Sequence, residues 1–223
     1  MKSNLNQFVP SEVCLHCDRC CRFKEENSAW RPKMAKEEIA QLRKHPKTSK
    51  ILSFPNVLVG NPDEAMIGPP TKTFGGDNFR ITSSKKKLAN LILSKEIFSQ
   101  EGSIKTVSCH GDHLCSFFNP GDHTCRIYSA RPFECQLYPF ILTRKNQQPI
   151  ICVHRMCPFI QQKRATQDFD DYVAYLKNFF QEKEVLTFLK RNPELVGDYS
   201  DYQAELEYLF GLPFSVIAND QRE

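Results

Sequence analysis

Residues 14–21 read CLHCDRCC, which puts Cys14, Cys17, Cys20 and Cys21 in one short stretch near the start of a 223-residue chain. A C-x2-C-x2-C run lets a tight loop turn its thiolates inward while backbone N–H groups point at the sulfurs, an arrangement that suits the corners of an iron–sulfur cubane. A tetrahedral zinc site draws four N or S ligands onto one ion, commonly from two separate C-x2-C knuckles. Only the first half of that pattern is present here. The doubled cysteine at the end of the run raises a separate question. Adjacent residues point their side chains apart, by roughly 100° on a helix and to opposite faces on a strand. Cys20 and Cys21 are therefore expected to serve two neighbouring sites, or two irons of one cluster, rather than one ion. The alternative is that one of them is simply a small buried apolar residue.

Ten cysteines in 223 residues exceed what an ordinary cytosolic protein carries. They still fall short of the roughly 8–10% that marks a small disulfide scaffold. The N-terminal MKSNLNQFVPSEVC has no apolar core of a secretory signal, and no stretch approaches the roughly 18 apolar residues of a membrane span. A cytoplasmic setting is expected, in which clustered thiols are metal ligands or redox groups rather than disulfides. The net charge of +4 is mild, and Lys85-Lys86-Lys87 reads as a solvated face. The seventeen phenylalanines fall at helix or strand spacing, not between basic residues, and so read as core. Neither nucleic acid nor membrane is expected as a partner; the protein partner or substrate is unidentified. A domain of this length buries about 70% of its unfolded surface, enough for a conventional core.

The pattern along the chain is that of an α+β protein. Ala35, Ile39 and Leu42 recur on one side of a charged segment that ends at Pro46, predicting a short amphipathic helix. Residues 46–70 carry five prolines and no period, and residues 71–82 flank Gly75-Gly76-Asp77-Asn78 as a hairpin would. Residues 85–99 suit helix and strand equally. Two apolar runs, Phe140-Ile141-Leu142 and Ile150-Ile151-Cys152-Val153, bracket a polar segment at 144–148 and predict an antiparallel hairpin with a five-residue loop and Asn146 at its tip. Cys135 and Cys157 are each eleven residues from Asn146, so symmetric pairing brings these thiols together at the open end. Beyond residue 160 helices are expected: Phe169, Tyr172, Val173, Leu176 and Phe180 recur with helical spacing. A further segment runs to Lys190 and Arg191, and Ser200 with Gln203 resembles a capping box for a helix that Gly211 would end. The expected architecture is a loop-rich, metal-stapled domain over 1–160, with short antiparallel strands, and a C-terminal helical extension over 161–223 packed on it.

The later cysteines, Cys115, Cys125 and Cys135, have nine residues between successive members, a spacing unlike a zinc ribbon. Two of them end a small echo, GDHLC at 111–115 and GDHTC at 121–125. His113, His123 and His16 are candidate ligands, although Gly-Asp-His before a ligand is more often turn chemistry. Arg19, Arg22, Lys24, Arg126, Arg131 and Arg155 lie beside thiols and would favour thiolate over thiol. Asp18, Glu25, Asp122 and Glu134 occupy the same windows. The chain contains no G-x-S-x-G elbow, HExxH pair or Walker loop.

Together, CLHCDRCC, then Cys115, then CRIYSARPFECQLYP at 125–139, then Cys157-Pro158 resemble the CxxCxxCC (YkgJ-type) cysteine-cluster family, a zinc- or iron-chelating domain with eight shared cysteines. The resemblance spans about residues 14–158. It implies a metal set of Cys14, Cys17, Cys20, Cys21, Cys115, Cys125, Cys135 and Cys157, with Cys109 and Cys152 as extras. Cys152 competes with Cys157 for the last place, and the hairpin symmetry and the following proline favour Cys157. Tyr128, Arg131 and Pro132 belong to the same pattern, with Arg131 expected to support a cluster or a substrate anion and Tyr128 to pack. The cofactor implied is an iron–sulfur cluster, one or two of the 4Fe-4S type, in a redox or enzymatic role; a structural zinc module acting through protein contacts is the alternative. Some relatives are flagellin lysine N-methylase proteins, which adds a protein-lysine N-methylase-like activity as a further alternative. Against it, this chain lacks a glycine-rich nucleotide fingerprint and a CxxxCxxC run.

Overall fold

The hairpin at the centre of the sequence is also the centre of the fold. The computed structural model describes residues 5–17, 19–44, 97–99, 102–109 and 111–215. The expected hairpin at 71–82, and all but the end of the ambiguous 85–99 segment, lie outside these. Eight strands are described, and their labels follow chain order. They are β1 (Arg22–Phe23), β2 (Thr106–Cys109), β3 (Asp112–Cys115), β4 (Phe118–Asn119), β5 (Thr124–Cys125), β6 (Phe140–Lys145), β7 (Gln148–His154) and β8 (Leu206–Gly211). The α-helices are α1 (Ser11–Leu15), α2 (Lys36–Lys44), α3 (Phe133–Leu137), α4 (Pro158–Lys163), α5 (Gln167–Phe179) and α6 (Lys183–Arg191). The fold is thus α+β, with three small antiparallel sheets ordered β1-β3-β2, β4-β5 and β6-β7-β8. No helix among the described residues is long and apolar enough to cross a membrane.

Strands β6 and β7 pair from Phe140↔Val153 to Lys145↔Gln148, so the turn holds two residues, Asn146 and Gln147, instead of the expected five. Both have positive φ, 50° and 64°, as a tight hairpin turn between right-twisted strands requires. A second difference lies near the C-terminus. The segment after Ser200 is a 3-10 turn (Ser200–Glu205) followed by β8, not a helix. Strand β8 pairs with β7 through Ile150↔Gly211 and His154↔Leu206. The open edge of β7 offers unpaired backbone groups, and satisfying them outweighs a capping signature that lacks a side-chain cap hydrogen bond.

Two apolar cores result. One joins Leu5, Phe133, Phe140 and Ile151 to Phe169, Leu176, Phe180 and Leu189; the amphipathic stripes of α5 and α6 cover the hairpin, as their periodicity predicts. The other gathers Phe23, Met34, Leu42, Ile104, Leu114, Phe117 and Phe118 around the first sheet and α2. The N-terminal segment is pinned to the first core by Phe8. Its ring meets Phe140, Phe159, Phe169 and Tyr172 at centroid distances of 5.7, 5.4, 5.9 and 4.8 Å. Beside it, the Asn6 amide donates to the Tyr175 hydroxyl at 2.9 Å, and the Tyr172 hydroxyl donates to the Asn6 carbonyl.

Because Phe8 is half-buried, Phe8→Ala should destabilise the protein by about 2–3 kcal/mol, below the ~3–5 kcal/mol of a fully enclosed phenylalanine. Urea unfolding of the two proteins measures the difference. An unchanged midpoint would show that the N-terminal arm is not held by this contact.

Candidate metal centre

The N-terminal loop turns back on itself after Pro10. Helix α1 carries Cys14, the Cys17 amide donates to the Cys14 carbonyl at 3.3 Å, and a 3-10 turn (Arg19–Cys21) leads straight into β1. Cys115 ends β3, Cys125 ends β5, Cys135 is in the middle of α3, and Cys157 is the residue before α4, whose first position is Pro158. Six of these cysteines come from five separate elements and Cys17 and Cys157 from the connections, yet all eight line one cavity of about 890 Å³. Cys109 and Cys152 do not line it. Cys152 is buried within β7, opposite Tyr208 of β8. None of the ten is in a disulfide.

The environment of the sulfurs combines burial with aimed N–H donors. Burial raises the pKa of Cys14 and Cys157, pushes Cys125 up to about 12, and drives Cys135 well above the ordinary thiol value. Against this, backbone N–H groups donate to three of the sulfurs: those of Phe117 and Phe118 to Cys115, that of Ile127 to Cys125, and those of Phe159 and Ile160 to Cys157. Cys21 and Cys115 are neighbours across the β1–β3 pair and hydrogen-bond through sulfur. That bond raises Cys21 and lowers Cys115. Cys21 also hydrogen-bonds Cys20. Among the described residues, no three Cys, His, Asp or Glu side chains already stand close enough to share one ion.

Arg131 joins the two halves of the site. Its guanidinium stacks on the Tyr128 ring at 3.7 Å. It donates to the Tyr128 carbonyl at 3.1 Å, to Gln7 Oε1 at 2.6 Å and to Cys14 Sγ at 3.4 Å. Arg131 thus lies against one of the eight thiols, with the Tyr128 ring packed beneath its guanidinium.

A second clasp fixes α3 and with it Cys135. Glu38 of α2 accepts from the Phe133 amide at 2.6 Å and the Ala35 amide at 2.9 Å, while Glu134 accepts from the Lys33 amide at 2.5 Å. Burial pushes Glu134 up to about 8.

Of the candidate histidines, His16 and His123 line the cavity and His113 does not. His123 has φ 57°, which is turn chemistry, and His113 pairs within the β1-β3-β2 sheet. His154, which the sequence ranks below these three as a candidate ligand, also lines the cavity. Its Nδ1 lies 3.0 Å from the Tyr138 hydroxyl, its Nε2 lies 3.1 Å from Glu205 Oε2, and its ring stacks on Trp30 at 4.3 Å. Tyr199 and Tyr202 pack on the same Trp30 at 5.0 and 5.2 Å. These residues come from four distant segments, each ordinary by itself, and the chain's single tryptophan was the only compositional hint.

Eight thiols lining one cavity, with N–H donors at three of the sulfurs and a guanidinium at a fourth, are a donor set whose chemistry suits a metal ion. Comparison with known families agrees. Residues 77–165 match the family CxxCxxCC, described as "Putative zinc- or iron-chelating domain". Over these residues the chain is similar to that domain, a similarity that supports metal binding. The matched residues include Cys115, Cys125, Cys135 and Cys157 and start well after the 14–21 run, which the fold supplies to the same cavity. No curated protein and no solved structure matches the chain.

Two predictions follow from this geometry. Arg131→Ala, which frees Cys14 and Gln7 together, should weaken metal binding about 10–100-fold, as loss of an outer partner of a ligand usually does; competition with a chelator measures it, and unchanged affinity would reduce Arg131 to packing. Because burial raises Cys14, Cys125, Cys135 and Cys157 and so keeps them protonated near neutral pH, a metal ion bound to them must displace protons. Affinity should therefore rise with pH and fall as pH is lowered, with protons released on loading. Titration in weak buffer counts them, and loading without proton release would contradict the raised thiol pKa values.

Proposed function

We propose that the protein is an iron–sulfur protein that binds one or two clusters, of the 4Fe-4S type, on Cys14, Cys17, Cys20, Cys21, Cys115, Cys125, Cys135 and Cys157. Its role is redox or enzymatic, on a substrate not yet identified. The observation that carries this reading is that these eight thiols, and not Cys109 or Cys152, face one cavity. Full thiolate ligation of cubanes requires thiols in multiples of four, and the C-x2-C-x2-C loop is the kind that wraps a cubane. The cavity, about 890 Å³, is in the size range of small-molecule and cofactor sites. It continues past the thiols to Trp30, Tyr138, His154, Tyr199, Tyr202 and Glu205, space that a single structural ion would not use. Loading draws the sulfurs inward and joins the N-terminal loop to the rest, so metal binding and folding of residues 1–160 are coupled, with 161–223 packed on that domain. Free thiols of this number suit a reducing, cytoplasmic setting.

Zinc is the second reading, favoured by the small size of the sheets around the site. A zinc brace would organise the loops and leave function to protein contacts. A protein-lysine N-methylase-like activity is the third; the aromatic end of the cavity is its support, and it requires S-adenosylmethionine binding.

Iron, zinc and acid-labile sulfide per chain, measured on protein purified without oxygen and paired with a visible spectrum, separate these readings. Iron with matching acid-labile sulfide and visible colour is expected. Zinc without sulfide or colour would overturn the iron–sulfur reading in favour of the brace.

A further inference from the structure

The doubled cysteine divides the eight thiols. We infer that the cavity holds two adjacent metal centres, one on Cys14, Cys17, Cys20 and Cys157 and the other on Cys21, Cys115, Cys125 and Cys135; this rests on the metal reading above and specifies how its ligands are shared.

The first set has the ligand arithmetic of a ferredoxin cubane. In two-cluster ferredoxins, three thiols of a C-x2-C-x2-C run are completed by a remote cysteine that precedes a proline. Here Cys14, Cys17 and Cys20 form such a run on one loop, and Cys157-Pro158 supplies the remote member at the start of α4. Cys157 is buried in the first core, beside the hairpin, and its sulfur is met by the N–H groups of Phe159 and Ile160. Arg131 donates to the sulfur of Cys14 in this set.

The second set is placed by strands. The pairing Arg22↔Leu114 and Phe23↔His113 makes Cys21 and Cys115 the next facing pair, and their sulfurs hydrogen-bond. The β4–β5 pairing sets Cys125 opposite Phe118, three residues after Cys115. Cys21, Cys115 and Cys125 pack in the second core, away from Cys157. Cys135 enters from α3, with Cys115, Cys20 and Cys125 as its nearest thiol neighbours in electrostatic effect. Cys20 and Cys21, bonded through sulfur and adjacent in the chain, are where the two centres meet. Each centre takes one of them, and this is why the run ends in two cysteines rather than one.

The test uses the full chain, loaded and kept without oxygen, during graded removal of metal with a chelator and alkylation by N-ethylmaleimide under native conditions. Intact mass counts the labels on each chain, and peptide mapping locates them, leaving aside Cys109 and Cys152. The expected result is a population of half-labelled chains in which the labels fall on Cys14, Cys17, Cys20 and Cys157 together, or on Cys21, Cys115, Cys125 and Cys135 together. Chains that pass from unlabelled to fully labelled with no half-labelled species would overturn the division, as would half-labelled chains of mixed membership. A Cys157→Ala variant gives the second measurement: it should retain about half the metal and expose Cys14, Cys17 and Cys20 alone. Loss of all metal from a variant that still folds by circular dichroism would show one shared centre. A wild-type chain that holds no metal at all would overturn the metal reading itself, an outcome distinct from full metal with undivided labelling.

Discussion

Arg131 is the contact on which the site depends, because the chain must bring together thiols that are more than a hundred residues apart in sequence. The guanidinium lies flat on Tyr128 and spends its donors on Gln7, on Cys14 and on its own turn. A lysine there could offer neither the stack nor the fork. With Phe8 seated among Phe140, Phe159, Phe169 and Tyr172 just before the loop, the N-terminal arm has an apolar anchor and a charged one on either side of Val9 and Pro10. The C-x2-C-x2-C loop is thereby delivered to the mouth of the hairpin, where Cys157 waits, and its last residue enters the strand that faces Cys115.

The remaining thiols are fixed by the ends of elements rather than by their interiors. Cys115 and Cys125 end strands, and Cys157 precedes a helix. At such ends backbone N–H groups are not consumed by regular pairing and are free to point at sulfur. Burial costs a thiolate much of its hydration, and these donors with Arg131 offset part of that cost. A bound metal would offset the rest. The arrangement therefore favours the loaded state electrostatically, while burial favours the protonated thiol at Cys14, Cys125, Cys135 and Cys157 when no metal is bound.

How far the sequence reveals this depends on whether a feature is local. The hairpin is legible because period-two runs and their separation are local facts, and the error in its loop length came from reading polarity as loop when Arg144, Lys145 and Gln148 are simply exposed ends of paired strands. Strand β8 is illegible because its partner is the open edge of β7, some fifty residues away, while its own first residues imitate a cap. Cysteine spacing and the family resemblance single out the eight thiols, and all eight face the cavity. The Glu38–Glu134 clasp, and the wall of Trp30, Tyr138, His154 and Glu205, leave no periodic or spacing signal, since each member is an unremarked residue until the fold sets them side by side.

The central claim is that the thiol cavity is where metal binds, and X-ray absorption at the metal edge of the loaded full-length protein tests it most directly. The account predicts a first shell made of sulfur at about 2.3 Å, with nitrogen and oxygen neighbours absent. A shell dominated by nitrogen and oxygen would place the metal on histidines and carboxylates instead, and would contradict the account.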